Sequence, residues 1–197
     1  MLRTTFQRLS KCRDWTMTAF VTRICWTVSI PENSQGGKME NLLTYRSATA
    51  ADWPAIEALL LAARLPLDGA RDHLEQFLVG EDGGEICCAA GYERYGELAL
   101  LRSVAVAQRW RGQGMGKQML ESIKARARIH GIRRLYLLTT TAPEFFAGHG
   151  FVRAARNTAP AALQASREFQ GVCPASATFM VASLDSDRDI GMPAAAL

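Results

Sequence analysis

Histidine is scarce in this chain, with three in 197 residues, and the five cysteines include no C-x-x-C pair. Zinc ribbons and fingers need such pairs or a Cys/His cluster, so no metal site is expected. Cys87 and Cys88 are adjacent in a strand-like run, where neighbouring side chains point to opposite faces and cannot share an ion. An odd number of thiols without a framework fits a reducing compartment, and a cytoplasmic location is expected. No uninterrupted apolar span reaches membrane length. The best stretch, Ala19 to Ile30, is broken by Arg23, and no clear signal-peptide cleavage pattern follows it. Neither a membrane nor a nucleic acid is an expected partner. The net charge of +4 lies entirely in residues 1–38, which hold six basic and two acidic residues, while residues 39–197 hold seventeen of each. The chain thus divides into a basic leader (1–38), a neutral body (39–184) and a Pro/Ala-rich tail (185–197). The leader is expected to be a disordered tail or an upstream extension, dispensable in either case, with Met39 the natural start; its Arg, Ser and Thr content with few acids leaves an organellar transit peptide as the weaker alternative.

Two diphosphate loops are also missing. The dinucleotide fingerprint G-x-G-x-x-G fails because Gly112-Gln113-Gly114 is followed by Gly116, not by a glycine three residues on. The loop G-x-x-x-x-G-K-[ST] fails on spacing and because Gln118 stands where Ser or Thr is required. What is present is Arg111-Gly112-Gln113-Gly114-Met115-Gly116, between an apolar run (Ala99 to Val106) and an amphipathic segment (Lys117 to His130). A strand, a short glycine loop and a helix together aim backbone N–H groups and a positive helix end at an anion. Arg111 adds a charge suited to phosphate. A plain strand-to-helix turn is the bland alternative; in this context a diphosphate-bearing ligand fits better.

Around that loop the sequence alternates. Leu42 to Ser47 reads as a strand, followed by a helix capped by Thr49 or Asp52 with Ile56, Leu59, Leu60 and Ala63 as its apolar stripe. A second helix is predicted from about Ala70 with Leu74, Phe77 and Leu78 on one face. Glu81-Asp82-Gly83-Gly84 reads as a hairpin turn, then Glu85 to Tyr92 and a strand ending at Val106. In the helix after the loop, Met119, Leu120, Ile123 and Ala127 face inward, with Lys117, Glu121, Lys124 and Arg128 largely outside; it stops at Gly131. Arg134 to Thr140, a short strand from Phe151, a turn-to-helix segment from Pro160 to Phe169 and a strand from Ala177 to Leu184 complete the pattern. This order implies an α/β (α+β) fold built on a mixed sheet.

The spacing R-x-x-G-x-G at Arg111, Gly114 and Gly116 resembles the pyrophosphate loop of the GNAT N-acetyltransferases. Ala142 to Phe151 is similar to that superfamily's A-x-x-F-[YF]-x-x-x-G-F. The resemblance implies the GNAT acyl-CoA N-acyltransferase fold, a central twisted sheet flanked by helices, with acetyl-CoA as co-substrate. It further implies that the backbone of Val104, Ala105 and Val106 meets the pantetheine arm. The diphosphate would lie on Arg111, Gly112, Gln113, Gly114, Met115, Gly116 and Lys117, with Phe145 and Phe146 packed nearby. Glutamates beside the Tyr95-Gly96 turn are the usual bases, and Glu93 is preferred to Glu97; solvated hairpin charges are the alternative. Phe146 stands where a tyrosine often protonates the departing thiolate, so water, another hydroxyl or unaided departure must serve, the last tolerable for a thiol of pKa about 8.5.

Arg102 lies in an apolar strand, where a charge is costly unless paired or facing a ligand. It is read as a contact for an acidic group on the acceptor, with an ion pair to a nearby glutamate as the alternative; Thr139 and Thr140 are further substrate candidates. Glu93 to Gly96, Leu100 to Val106, Leu137 to Ala142 and Arg167-Glu168-Phe169 followed by Cys173 to Ala177 resemble the acetyltransferases encoded in arsenic-resistance operons. That similarity implies acetylation of a small amino acid such as arsinothricin or phosphinothricin, with room for a homodimer. A non-catalytic acyl-CoA-binding or arsenic-sensing module of the same fold is the competing reading, and Phe146 is the residue that lends it weight.

Overall fold

The computed structural model describes residues 43–185; the leader and nearly all of the tail lie outside this range. Seven strands form one sheet in the order β1-β2-β3-β4-β5-β7-β6: β1 Thr44–Ser47, β2 Leu78–Asp82, β3 Glu85–Tyr95, β4 Leu98–Val106, β5 Arg134–Thr139, β6 Val152–Arg153 and β7 Thr178–Ser183. Among the described strands only β4 and β5 pair in parallel, which requires the crossover supplied by helix α2, Met115–Ile129. The others are α1 Trp53–Ala62, α3 Pro143–Ala147 and α4 Ala161–Gln164.

Each face of the sheet is covered by a different part of the chain. On one, Met115, Met119, Leu120, Ile123 and Ala127 of α2 pack with Phe146 of α3 against Tyr92, Leu101, Leu135 and Leu137. On the other are two separate apolar clusters. Ile56, Leu59 and Leu60 of α1 meet Phe77, Val79 and Ala105, while Leu163 of α4 meets Leu100, Tyr136 and Phe179. Leu100 and Leu101 thus face opposite ways, as strand alternation requires.

The helix predicted from Ala70 is instead a 3-10 segment, Arg71–Gln76. Phe77 is extended (φ −86°, ψ 143°), and Leu78 opens β2, pairing with Ser47 and Ala90. A short strand whose first three residues are all buried carries no alternation that separates it from a helix, which is why Phe77 and Leu78 read as helical. Phe77 lies against Gly91, where a side chain would come within 2.3 Å of its ring. Lys124 is also corrected: it is buried, and its ammonium donates to the His149 carbonyl (3.0 Å) and to Glu121 (3.1 Å), tying α2 to the end of α3. Gly83 and Gly84 both have positive φ (57° and 88°), as the hairpin between β2 and β3 requires. Near β1, Arg46 bonds Asp52 through both terminal nitrogens (2.7 and 2.8 Å), and Asp52 Oδ2 accepts from the N–H of the N-cap residue Thr49 (2.7 Å), holding the start of α1 to the sheet edge.

Candidate active site

The glycine loop is built from backbone. Gly112 and Gly114 have φ of 76° and 82°, a left-handed conformation that costs glycine little. Gly114 caps α2, and Gln118 N–H donates to its carbonyl (3.1 Å). The amides of the first turn before Gln118 have no intrahelical acceptor, so they and the positive helix end face outward. Arg111 is exposed and steadied by a bond from Nε to the Val106 carbonyl (2.9 Å). Gly116 faces Phe145 and Val106, with a Cβ there coming 3.5 Å from the Phe145 ring and 3.8 Å from Val106. The two sequence motifs therefore meet in space. Phe145 is half-buried, whereas Phe146 is 8% exposed and packs edge-on to Phe151 within the core.

A wedge opens beside this loop. β4 and β5 are paired from Leu98↔Arg134 to Leu101↔Leu137, and no further. Beyond that point β5 continues with β7, Thr139 pairing Thr178, while β4 continues with β3 to Val106. The parting is reinforced by a bulge, because Ala89 pairs Ala105 but Gly91 pairs Arg102, which leaves Ser103 and Val104 opposite Ala90. Ser103 has φ of 58°, an uncommon value for a residue with a side chain. Thr139 and Thr140 lie at the β5 lip; Thr139 Oγ1 accepts from Ala142 N–H (3.2 Å), and Thr140 is exposed.

Arg102 is the first residue past the last β4–β5 pair, on the same face as Leu100. Its side chain is wholly enclosed. Nη1 donates to Glu93 Oε1 (2.5 Å), and Nη2 donates to the Asp68 carbonyl (2.6 Å). Nε is buried without a hydrogen bond, and Glu168 Oε1 lies 3.4 Å from it. Glu93 is 2% exposed and also accepts from the Tyr95 hydroxyl (2.7 Å). Burial pushes the Glu168 carboxyl up to about 7, and neighbouring Glu93 adds to the rise while Arg102 opposes it. Sequence reading singled out Glu93 and Arg102 but gave Glu168 no role. Glu168 sits on a turn between α4 and β7, far along the chain from both, and nothing local marks it. The spacing cannot show that 93, 102 and 168 converge.

Cys87 and Cys88 do not alternate as the strand pattern predicts: the register shift between Gly80 and Glu81 puts both side chains in the apolar cluster on the α2 face, against one another. No group of three or more His, Cys, Asp or Glu side chains is placed to hold a metal among the described residues. Burial pushes the thiols of Cys88 and Cys173 up to about 12, which keeps both protonated near neutrality.

Residues 73–153 match the family model described as an acetyltransferase (GNAT) domain. The chain carries the GNAT fold. Among solved structures, N-acetylglutamate synthase from Neisseria gonorrhoeae, complexed with coenzyme A and N-acetyl-glutamate, superimposes with a TM-score of 0.65 at 25% identity, covering 75% of this chain and 36% of that one. An amino-acid acetyltransferase of Pseudomonas fluorescens (strain Pf0-1) is 38% identical over 102 residues, which is 49% of this chain and 23% of that protein. The amino-acid acetyltransferase of Edwardsiella ictaluri (strain 93-146) is 32% identical over 144 residues, 67% of this chain and 32% of that protein. The aligned regions thus span less than a third of these curated relatives. No described helix is long and apolar enough to cross a membrane.

Proposed function

We propose that this protein transfers an acetyl group from acetyl-CoA to the amine of a small, acidic, amino-acid-like acceptor. The observation that carries this reading is the wedge between β4 and β5 opening beside the left-handed glycine loop. In it, the diphosphate rests on the amides of residues 112–117 and the charge of Arg111, at the positive end of α2. The pantetheine arm runs along the backbone of Val104, Ala105 and Val106, freed from β5 by the splay, past Phe145. Phe146 supports this wall from the core and contributes no proton. The acceptor approaches from the opposite face of the sheet, where Glu93 and Arg102 form the floor and Thr139 and Thr140 the rim. Holding the thioester and amine in a fixed relation is the first contribution such a wedge makes to rate.

The acceptor class rests on two supports. The relatives that align are amino-acid acetyltransferases, and one structural neighbour is complexed with N-acetyl-glutamate. The segments around Glu93, Arg102, Thr139 and Cys173 resemble the arsenic-operon acetyltransferases, which extends the proposal to glutamate-like acids bearing arsinate or phosphinate and to a role in resistance. The test is release of free CoA thiol from acetyl-CoA with glutamate, phosphinothricin, arsinothricin and a lysine peptide in parallel. Release with one or more of the acidic amino acids, and not with the peptide, is expected. Calorimetric binding of acetyl-CoA without thiol release from any amine would overturn the transferase reading.

A further inference from the structure

We propose that Glu168 accepts the proton from the acceptor's ammonium, an inference that rests on the transferase reading above. Glu93 accepts from Arg102 at Oε1 and from Tyr95 at Oε2, so each of its oxygens already holds a strong donor, and His73 Nε2 lies 4.0 Å from Oε2. Glu97 is exposed at the Gly96 turn, five residues before the splay, roughly 16 Å away along the strand. Glu168 is different. It is 5% exposed, its Oε1 meets only the unpartnered Nε of Arg102 at 3.4 Å, and its Oε2 has only the weak Cys173 thiol donor at 3.7 Å.

Its position serves the chemistry. The turn that carries Glu168 leads into β7, which pairs with the end of β5 that has left β4. Over the cluster, segments 68–72 and 166–173 close together, with Gly69 against Arg167 and Arg167 paired to Asp72 (3.5 Å). The enclosed cluster holds two carboxylates and one guanidinium, which hydrogen-bonds Glu93 at 2.5 Å and meets Glu168 only at 3.4 Å without a hydrogen bond. Ionised Glu168 therefore lacks a full counter-charge until a cation arrives, and an acceptor ammonium is such a cation. Its carboxyl, held up to about 7 by burial, is matched to taking a proton near neutral pH.

The step balances as follows. The ammonium gives one proton to the Glu168 carboxylate, leaving a neutral amine and a carboxylic acid. The amine lone pair forms the C–N bond to the thioester carbonyl, and the C–S bond breaks as the tetrahedral adduct collapses. The second nitrogen proton goes to the departing thiolate, giving amide and free CoA thiol, and Glu168 then releases its proton to water.

The experiment is the pH profile of kcat/KM for the acceptor in wild type and in Glu168→Gln, with acetyl-CoA affinity measured by calorimetry. In wild type an acid limb near pH 7 is expected. Glu168→Gln should lose that limb and about 10²–10⁴-fold in kcat, while binding acetyl-CoA as before. If Glu168→Gln does not fold, Glu168→Asp is read in its place. It should keep an acid limb at a displaced midpoint with lowered kcat, and unchanged midpoint and kcat would overturn the proposal. Wild-type turnover whose acid limb and kcat persist in Glu168→Gln rejects Glu168 alone. Absence of turnover by wild type with any amine rejects the transferase reading and the role of Glu168 with it.

Discussion

The two sides of the wedge are made in opposite ways. On the α2 side the groups proposed to meet the ligand are backbone amides, positioned by two left-handed glycines and a helix end within six consecutive residues. On the other face they are side chains from β3, β4 and a turn after α4, brought together across 75 residues of chain and sealed from water. A backbone site tolerates side-chain change but not loss of φ freedom. A buried charge cluster does not tolerate removal of its one guanidinium. The first should fail in binding while folding normally, and the second should fail in folding and chemistry together.

The largest expected effect tests the backbone side. Gly114→Glu places a side chain at φ 82° and a negative charge where the diphosphate is proposed to lie. Acetyl-CoA binding by calorimetry should vanish with the melting temperature little changed; wild-type affinity would remove the loop from the site.

Next comes Arg102→Met. It leaves Glu93 and Glu168 buried without their cation, and breaking such a pair costs about 3–5 kcal/mol. The melting temperature should fall by about 10 °C or more. A variant that melts like wild type but shows a raised KM for the acceptor alone would place Arg102 in substrate binding and blur the contrast drawn here.

A smaller effect concerns pH. The Glu168 carboxyl is raised in the folded protein to about 7 from 4.5, chiefly by burial. Between those values the folded state holds more protons than the unfolded one, so stability falls as pH rises through this window. Melting curves from pH 4.5 to 7.5 should show that decline in wild type, and Glu168→Gln should be flatter by a few degrees. Parallel curves for the two proteins would show that Glu168 is not desolvated in solution.

The smallest effect lies outside both sides. Hydrogen bonds from Arg46, with Thr49 assisting, hold Asp52 well below the usual carboxylate range. That stability is present above the unfolded value near pH ~3.9 and is lost as pH falls through the folded one. Asp52→Asn should be less stable than wild type at pH 7, and the gap should narrow below about pH 4. Acetyl-CoA binding should not change, since Asp52 belongs to the β1 edge.

Legibility followed the same division. The glycine loop, α2, the hairpin at Gly83-Gly84 and the long strand to Val106 could be read because each depends on neighbours in the chain: φ freedom, capping and helical or strand periodicity. Even there, Lys124 escaped, because whether a charge on a helix flank is solvated depends on what packs beside it, here the end of α3. Phe77 and Leu78 were misplaced for a related reason: β2 exists only because Ser47 and Ala90 flank it.

By itself, then, the sequence determined the order of strands and helices outside residues 70–82, the glycine loop that opens α2, and the expectation that a charge inside the Leu100–Val106 strand must be answered by a partner. Which partner answers it was decided only in three dimensions. The bulge at Ser103 and the divergence of β5 toward β7 set Arg102 at the apex of the wedge, and the closing of residues 68–72 against 166–173 brought Glu168 to it. Local rules act over a few residues through backbone dihedrals and hydrogen bonds. The Glu93–Arg102–Glu168 contact is instead made by desolvation and charge pairing between segments that meet only when the sheet is complete.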